Sequence, residues 1–236
     1  MAQKSLHLGD PPAGEYYREK LAAERLKRCY EIASPRVRQY FSAEIGHVLE
    51  KIEIGARVLD LGCGFGRVLP LIAGKAGEVV GIDNSISSLK LAREKVCGIT
   101  NCRLSAADAR HLCFKEKSFD VVACIQNGIS AFHVDPKELL KESLRVTKTG
   151  GLILFSSYSE KFWEHRLEWF HMQAEAGLLG EIDPHKTRSG VIICKDGFKA
   201  TTMSPSGFLT LTAGLGVDAA VVEVDDSSLF CEIRVQ

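Results

Sequence analysis

"VLDLGCGFGR" (residues 58–67) has three apolar residues with an acid among them, then glycines at alternate positions, Gly62, Gly64 and Gly66. A short apolar run closed by glycine reads as a buried strand. Three glycines within five residues mark a backbone that bends sharply or is touched by something, because glycine alone adopts left-handed torsions freely and lets another group reach the main chain. Asp60, two residues before the first glycine, is an acid placed at the end of that strand.

Outward from this stretch, strand and helix alternate. "ARVLDLG" (56–62), "EVVGID" (78–83), "CRLSAAD" (102–108), "FDVVACI" (119–125) and "GGLILFSSY" (150–158) read as five near-continuous apolar strands. Between them lie "RVLPLIAGKAG", "SISSLKLAREKV" capped by Ser85, and "DPKELLKESLRVT" capped by Asp135 with Pro136 at its first position. Continuous apolar strands alternating with helices predict a parallel sheet covered on both faces. The last third departs from this. "EKFWEHRLEWFHMQAEAGLLG" (160–180) is amphipathic and aromatic, and "GVIICKDGFKATTM" (190–203) predicts a two-residue hairpin at Asp196-Gly197. "SPSGFLTLTAGLG" predicts a helix, and "VDAAVVEVDDSSLFCEIRV" two final antiparallel strands. Before the sheet, residues 16–51 have helical periodicity broken at "ASPR", where Ser34 and Pro35 suit a helix start. Residues 1–14, with "GDPPAG", are expected to be mobile.

Thirty basic residues balance thirty acidic ones in 236. This gives no overall pull toward nucleic acid or an anionic membrane. No apolar run reaches the ~18 residues of a membrane helix, and the N-terminus has no secretory pattern. A cytoplasmic protein is expected. None of the eight cysteines forms a CxxC pair, so no metal site is expected; those in "VVACI", "VIIC" and "LFCEI" read as small buried hydrophobes. His165, His171 and His185 have no recognisable ligand spacing.

A strand–glycine loop–helix unit is expected to present free backbone N–H groups at a helix N-terminus. Dinucleotide enzymes share that device, but their G-x-G-x-x-G pattern would need glycine where Arg67 stands. Three further features fall on the same sheet edge. Asp83 ends the second strand, where a carboxylate can accept from both hydroxyls of a ribose. Asp108 closes the third. Gln126 and Asn127 end the fourth. In open α/β sheets, ligands bind outside the carboxyl ends of the strands.

With "VVGIDNS", "SAADARHLCFKEKSFDVV" and "LRVTKTGGLILF" in order after the glycine loop, residues 50–160 resemble the class I S-adenosylmethionine-dependent methyltransferases, most closely their small-molecule branch. The resemblance implies a Rossmann-like, doubly wound α/β fold. Its mostly parallel sheet would have seven strands with an antiparallel final strand, residues 1–50 would form a helical extension or lid, and residues 51–236 the methyltransferase domain with an insertion at about 159–203. It implies S-adenosylmethionine as cofactor and S-adenosylhomocysteine as product. Gly62, Cys63, Gly64 and Gly66 would pack on the methionine part and Asp60 would help place its ammonium. Asp83 would hold the ribose, with Asn84 beside the adenine. Asp108 and the backbone of Ala109 would read the adenine edge, and Gln126 and Asn127 would lie near the transferred methyl.

For the acceptor side, His133 is a candidate base or substrate contact, although a surface histidine beside the Asp135 cap explains it as well. Tyr17 could close over the cofactor or pack on the core. Phe162, Trp163, Trp169, Phe170 and Met172 fit packing better than a pocket. The expected activity is methyl transfer to a small molecule, without nucleic-acid or membrane partners; a homodimer is left open. An RNA or protein methyltransferase and a non-catalytic cofactor-binding module remain alternatives.

Overall fold

A computed structural model describes residues 16–236; the expectation for residues 1–14 lies outside them. Among the described residues nine strands form: β1 (Arg57–Leu61), β2 (Glu78–Asp83), β3 (Cys102–Ala106), β4 (Phe119–Cys124), β5 (Thr147–Tyr158), β6 (Val191–Ile193), β7 (Lys199–Thr201), β8 (Asp218–Val224) and β9 (Ser228–Arg234). Seven make one sheet in the order β3-β2-β1-β4-β5-β9-β8. β1 to β5 are parallel, and β9 runs antiparallel between β5 and β8. The final strand therefore lies inside the sheet, and β8 forms the edge.

The helices are α1 (Ala23–Glu31), α2 (Pro35–Lys51), α3 (Leu69–Ala73), α4 (Ile86–Lys95), α5 (Gly128–Ala131), α6 (Pro136–Val146), α7 (Trp163–Glu175) and α8 (Pro205–Thr212), with a π-helical turn at Tyr16–Lys20 and a 3-10 turn at Glu160–Phe162. Ser85 caps α4 by accepting from the Ser88 amide, and Asp135 caps α6 by accepting from that of Lys137. Ser34 stands at the start of α2, but its hydroxyl makes no cap bond. None of the described helices is long and apolar enough to cross a membrane.

Both faces of the sheet are buried, as the apolar strands predict. Along β1, Val58 joins the core under α2 and α3, and Leu59 the core on the opposite face, with α6 and α8. A third cluster unites Tyr16, Leu21, Tyr40 and Phe41 with Tyr158, Phe162, Trp169, Phe170 and the β6–β7 hairpin. It lies over the carboxyl edge, since Tyr30 packs 5.6 Å from Phe65 of the glycine loop. The chain reverses its direction of travel between β1 and β4, the switch point where such sheets open a crevice.

The hairpin departs from the expected two-residue turn. Ile193 pairs with Lys199, so residues 194–198 form the loop, closed by the Cys194 amide donating to the Phe198 carbonyl at 2.9 Å. The Asp196 carboxylate organises it by accepting from the Phe198 amide and, at 2.7 Å, from the Tyr16 hydroxyl. Helix α3 spans five residues because Pro70 sits in its first turn and Gly74 at its end. Cys124, Cys194 and Cys231 are buried as expected, while Cys97 and Cys113 are exposed.

Candidate functional site

Two connected spaces lie at the switch point. The outer is a cleft of about 470 Å³ bounded by Asp83, Asn84, Asp108, Ala109, Phe132 and His133. The inner, about 50 Å³, lies between Tyr30 of α1, Asp60, Cys63, Gly64, Arg67 and Gln126. Gly62 lines both. Its φ is +75°, and a Cβ there would stand 2.6 Å from the Phe132 ring, so only glycine fits between the spaces.

Four of the loop's amides are spent within the fold. Gly62 and Cys63 both donate to the Ile82 carbonyl, at 2.9 and 2.8 Å. Gly64 donates to Asp83 Oδ2 at 2.9 Å, and Gly66 to the Cys63 carbonyl. The expected row of free donors is therefore shortened by these four amides. The loop is held by its own amides and offers close-approach surface instead. Gly66 lines neither space: a Cβ on it would stand 3.0 Å from Ala92 of α4, so that glycine permits loop–helix packing.

The four acids differ sharply. Asp60 is 2% exposed, and its Oδ2 has no hydrogen-bond partner. Burial pushes its carboxyl up to about 7, against the opposing pull of Arg67. Asp83 accepts from the Ser85 amide through Oδ1 and from Gly64 through Oδ2; burial raises its carboxyl and these amides partly offset that. Each oxygen keeps a lone pair for a further donor. Asp108 is half-buried and gripped by the Arg110 side chain, which holds its carboxyl low.

The fourth acid, Glu44 of α2, has no counterpart among the sequence expectations. It is fully buried and accepts from the Gln126 amide, the Gln126 side chain and, at 2.5 Å, the Ser156 hydroxyl. Burial raises its carboxyl. The readable signal is an acid on the apolar stripe Phe41–Ile45–Val48.

Gln126 and Asn127 follow β4 with φ of +57° and +59°, and His133 with +52°. Left-handed torsions in non-glycine residues store strain and concentrate at functional sites. Gln126 lines the inner space, with its Oε1 buried and unpartnered. Asn127 lines neither space. It is buried, donates to the Thr201 carbonyl at 2.9 Å and accepts from Ser157 at 2.8 Å, bracing β4 against the hairpin. His133 faces the outer cleft. Burial, then Lys199, lowers its pKa, so its ring is neutral at pH 7. Tyr17 packs 5.7 Å from Phe198 and 6.5 Å from His133.

Above the inner space, Phe162, Trp169 and Phe170 are core residues, in line with their packing role. Phe170, with Tyr158 and Trp163, faces Arg166, which is 1% exposed and has no counterpart among the sequence expectations; its signal is a cation three residues after Trp163 and four before Phe170. Arg67 stacks on Tyr30 at 4.8 Å and Phe41 at 5.1 Å. His165, His171 and His185 are exposed. Among the described residues no group of three or more His, Cys, Asp or Glu is placed to hold a metal.

Residues 58–151 match a family model described as "Methyltransferase domain". The chain is similar to sterol 4-C-methyltransferase strm-1 of Caenorhabditis elegans, 30% identical over 143 residues, which cover 56% of this chain and 42% of that protein. It is 38% identical to demethylmenaquinone methyltransferase of Staphylococcus aureus over 104 residues, 42% of either chain. The chain thus spans under half the length of these relatives. Solved structures share the fold. A Pyrococcus horikoshii protein superposes with a TM-score of 0.66 at 23% identity, covering 94% of this chain and 99% of that one. The N-methyltransferase NodS from Bradyrhizobium japonicum, solved with S-adenosylhomocysteine, gives 0.62 at 14% identity, covering 95% and 99%. Residues 58–151 thus hold a methyltransferase domain, in a chain whose sheet order and glycine loop are those of the class I S-adenosylmethionine-dependent methyltransferases.

Proposed function

We propose that the protein transfers a methyl group from S-adenosylmethionine to a small-molecule acceptor. The observation that carries this reading is the buried Asp60 carboxyl, with a bare Oδ2, beside a loop whose Gly62, Cys63 and Gly64 amides are already bonded. A dinucleotide pyrophosphate needs free N–H donors. An amino-acid tail with an ammonium group needs an acceptor and close approach, which Asp60, Gly62 and Gly64 offer.

The remaining roles follow from position. Asp83 accepts the ribose hydroxyls on its free lone pairs, with Asn84 beside the base. Asp108 and the Ala109 backbone meet the adenine edge at the mouth of the outer cleft. Cys63 and Gln126 flank the methionine tail, and Asn127 acts indirectly, by bracing the end of β4. Of the 1–50 extension, the described residues 16–50 serve as a lid on the 51–236 domain, with the Tyr17 ring 6.5 Å from that of His133 at the outer cleft.

The bound cofactor supplies an electrophilic methyl on a sulfonium, ready for in-line displacement. The chain's part is to align the acceptor and exclude water, which can lower a barrier by about 7–11 kcal/mol. His133, neutral at pH 7, can take a proton where the attacking atom must lose one. The balanced charge and free cysteines fit a small-molecule enzyme of the cytoplasm.

Incubation of a metabolite extract with methyl-labelled S-adenosylmethionine tests this reading. Label should appear in the low-mass fraction. Label confined to RNA or protein would transfer the assignment to a macromolecular acceptor, and cofactor binding without transfer to any fraction would leave a binding module.

A further inference from the structure

Arg166 projects from α7 into the aromatic cluster above the inner space. Its relative exposure is 1%, and none of its three guanidinium nitrogens has a hydrogen-bond partner. Of the partly buried arginines, Arg36 pairs with Asp225, Arg57 with Glu78 and Arg145 with Glu142, while Arg67 rests on the Tyr30 and Phe41 rings. Among the described residues no carboxylate pairs with Arg166. Its guanidinium carbon lies 4.5 Å from the Tyr158 ring, 5.4 Å from Phe170 and 6.0 Å from Trp163. Ring faces attract a cation, but they accept no conventional hydrogen bonds. A buried charge with every donor unmet is strongly unfavourable unless an anion completes it.

The position connects to the proposed reaction centre. Tyr158 ends β5 at the carboxyl edge, and its ring lies 5.3 Å from that of Tyr40, whose buried hydroxyl is likewise unpartnered. One helical turn on, Glu44 holds Gln126, which faces Asp60 across the inner space. Arg166 is thus linked through Tyr158, Tyr40 and Glu44 to Gln126, which lines the inner space with Asp60.

Resting on the methyltransferase reading, we propose that Arg166 anchors the acceptor and that the acceptor is a small monocarboxylic acid. Its carboxylate accepts two parallel N–H bonds from the guanidinium, the fork geometry arginine is built for. One cation in an otherwise neutral aromatic enclosure matches one negative charge. The Tyr158, Phe170 and Trp163 rings accommodate an apolar body.

Trp163 and Trp169, the protein's two tryptophans, flank Arg166 on α7, so intrinsic emission reports on the site. Protein saturated with S-adenosylhomocysteine is titrated with benzoate, benzamide and phenyl phosphate. Benzoate is expected to bind at least about tenfold tighter than benzamide, a difference of about 1.4 kcal/mol. Arg166→Met should abolish the preference and Arg166→Lys retain part of it, with calorimetric binding of S-adenosylhomocysteine unchanged in both. Equal binding of benzoate and benzamide by the wild type overturns the proposal whatever the variants do. So does a preference surviving in Arg166→Met. Phenyl phosphate about tenfold tighter than benzoate would replace the carboxylate with a phosphate and overturn it too. Failure of the wild type to bind S-adenosylhomocysteine would instead sink the methyltransferase reading.

Discussion

The Gly64 amide donates to Asp83 Oδ2 at 2.9 Å, tying the loop after β1 to the end of β2. Asp83 thus has two jobs. It fixes the glycine loop from below and turns its free lone pairs into the outer cleft. The loop's shape and the proposed ribose site depend on the same carboxylate.

Gly62→Ala should destabilise the protein. The added methyl meets the Phe132 ring at 2.6 Å, and φ is +75°. Overpacking typically costs about 1–3 kcal/mol, with about 1 more for the left-handed torsion. Thermal or urea unfolding should show a loss of about 2–4 kcal/mol. Phe132→Ala in the same chain should recover part of it, a coupling of about 1–2 kcal/mol. Gly46→Ala is the control: it lies within α2 with open space around it, so a gain of about 0.5–1 kcal/mol is expected.

Asp60 makes stability depend on pH. Its folded pKa of about 7 lies above the ordinary 3.8. Between those values the folded state binds more protons than the unfolded state, so this group's contribution to stability falls as pH rises from about 4 to about 7. Asp60→Asn should therefore stabilise the protein at pH 8, by on the order of a few kcal/mol, and the gain should fade toward pH 4. The same variant should bind S-adenosylmethionine more weakly. Wild-type binding at pH 6.5 should release protons as the ammonium draws Asp60 into its charged form, giving a calorimetric enthalpy that changes with the buffer. A variant that loses stability at pH 8 and keeps full affinity contradicts both roles.

Tyr16 latches the N-terminal segment to the hairpin through the 2.7 Å bond from its hydroxyl to Asp196. Tyr16→Phe retains the ring packing on Phe198, 4.8 Å away. Losing a hydrogen bond of about 1 kcal/mol should speed S-adenosylhomocysteine release about fivefold, with faster hydrogen exchange over residues 16–31 and little change in Tm. Unchanged release would remove the lid role.

The parallel strands and the glycine loop were legible because continuous apolar runs and alternate glycines are local signals. The hairpin loop was misread because Asp196 contacts Tyr16, 180 residues away, and Phe198, which lengthens the turn beyond what Asp-Gly alone predicts. The Gly62, Cys63 and Gly64 amides looked free because their acceptors, Ile82 and Asp83, belong to the next strand. Glu44 and Arg166 escaped for a related reason. Periodicity places each on a buried face, but nothing local shows that one meets Gln126 and Ser156 and the other only aromatic rings. Asn127 illustrates the reverse: it stands at the expected strand end, yet its side chain is occupied by Thr201 and Ser157.

Calorimetric titration of S-adenosylhomocysteine into the wild type and Asp83→Ala tests the central claim most directly. Saturable binding is expected in the wild type. The variant loses hydrogen bonds to the ribose and the support of Gly64, each bond to a charged group being worth about 1.5–3 kcal/mol, so its affinity should fall at least about tenfold. Absence of binding to folded wild-type protein, or equal affinity in the two, would contradict the account.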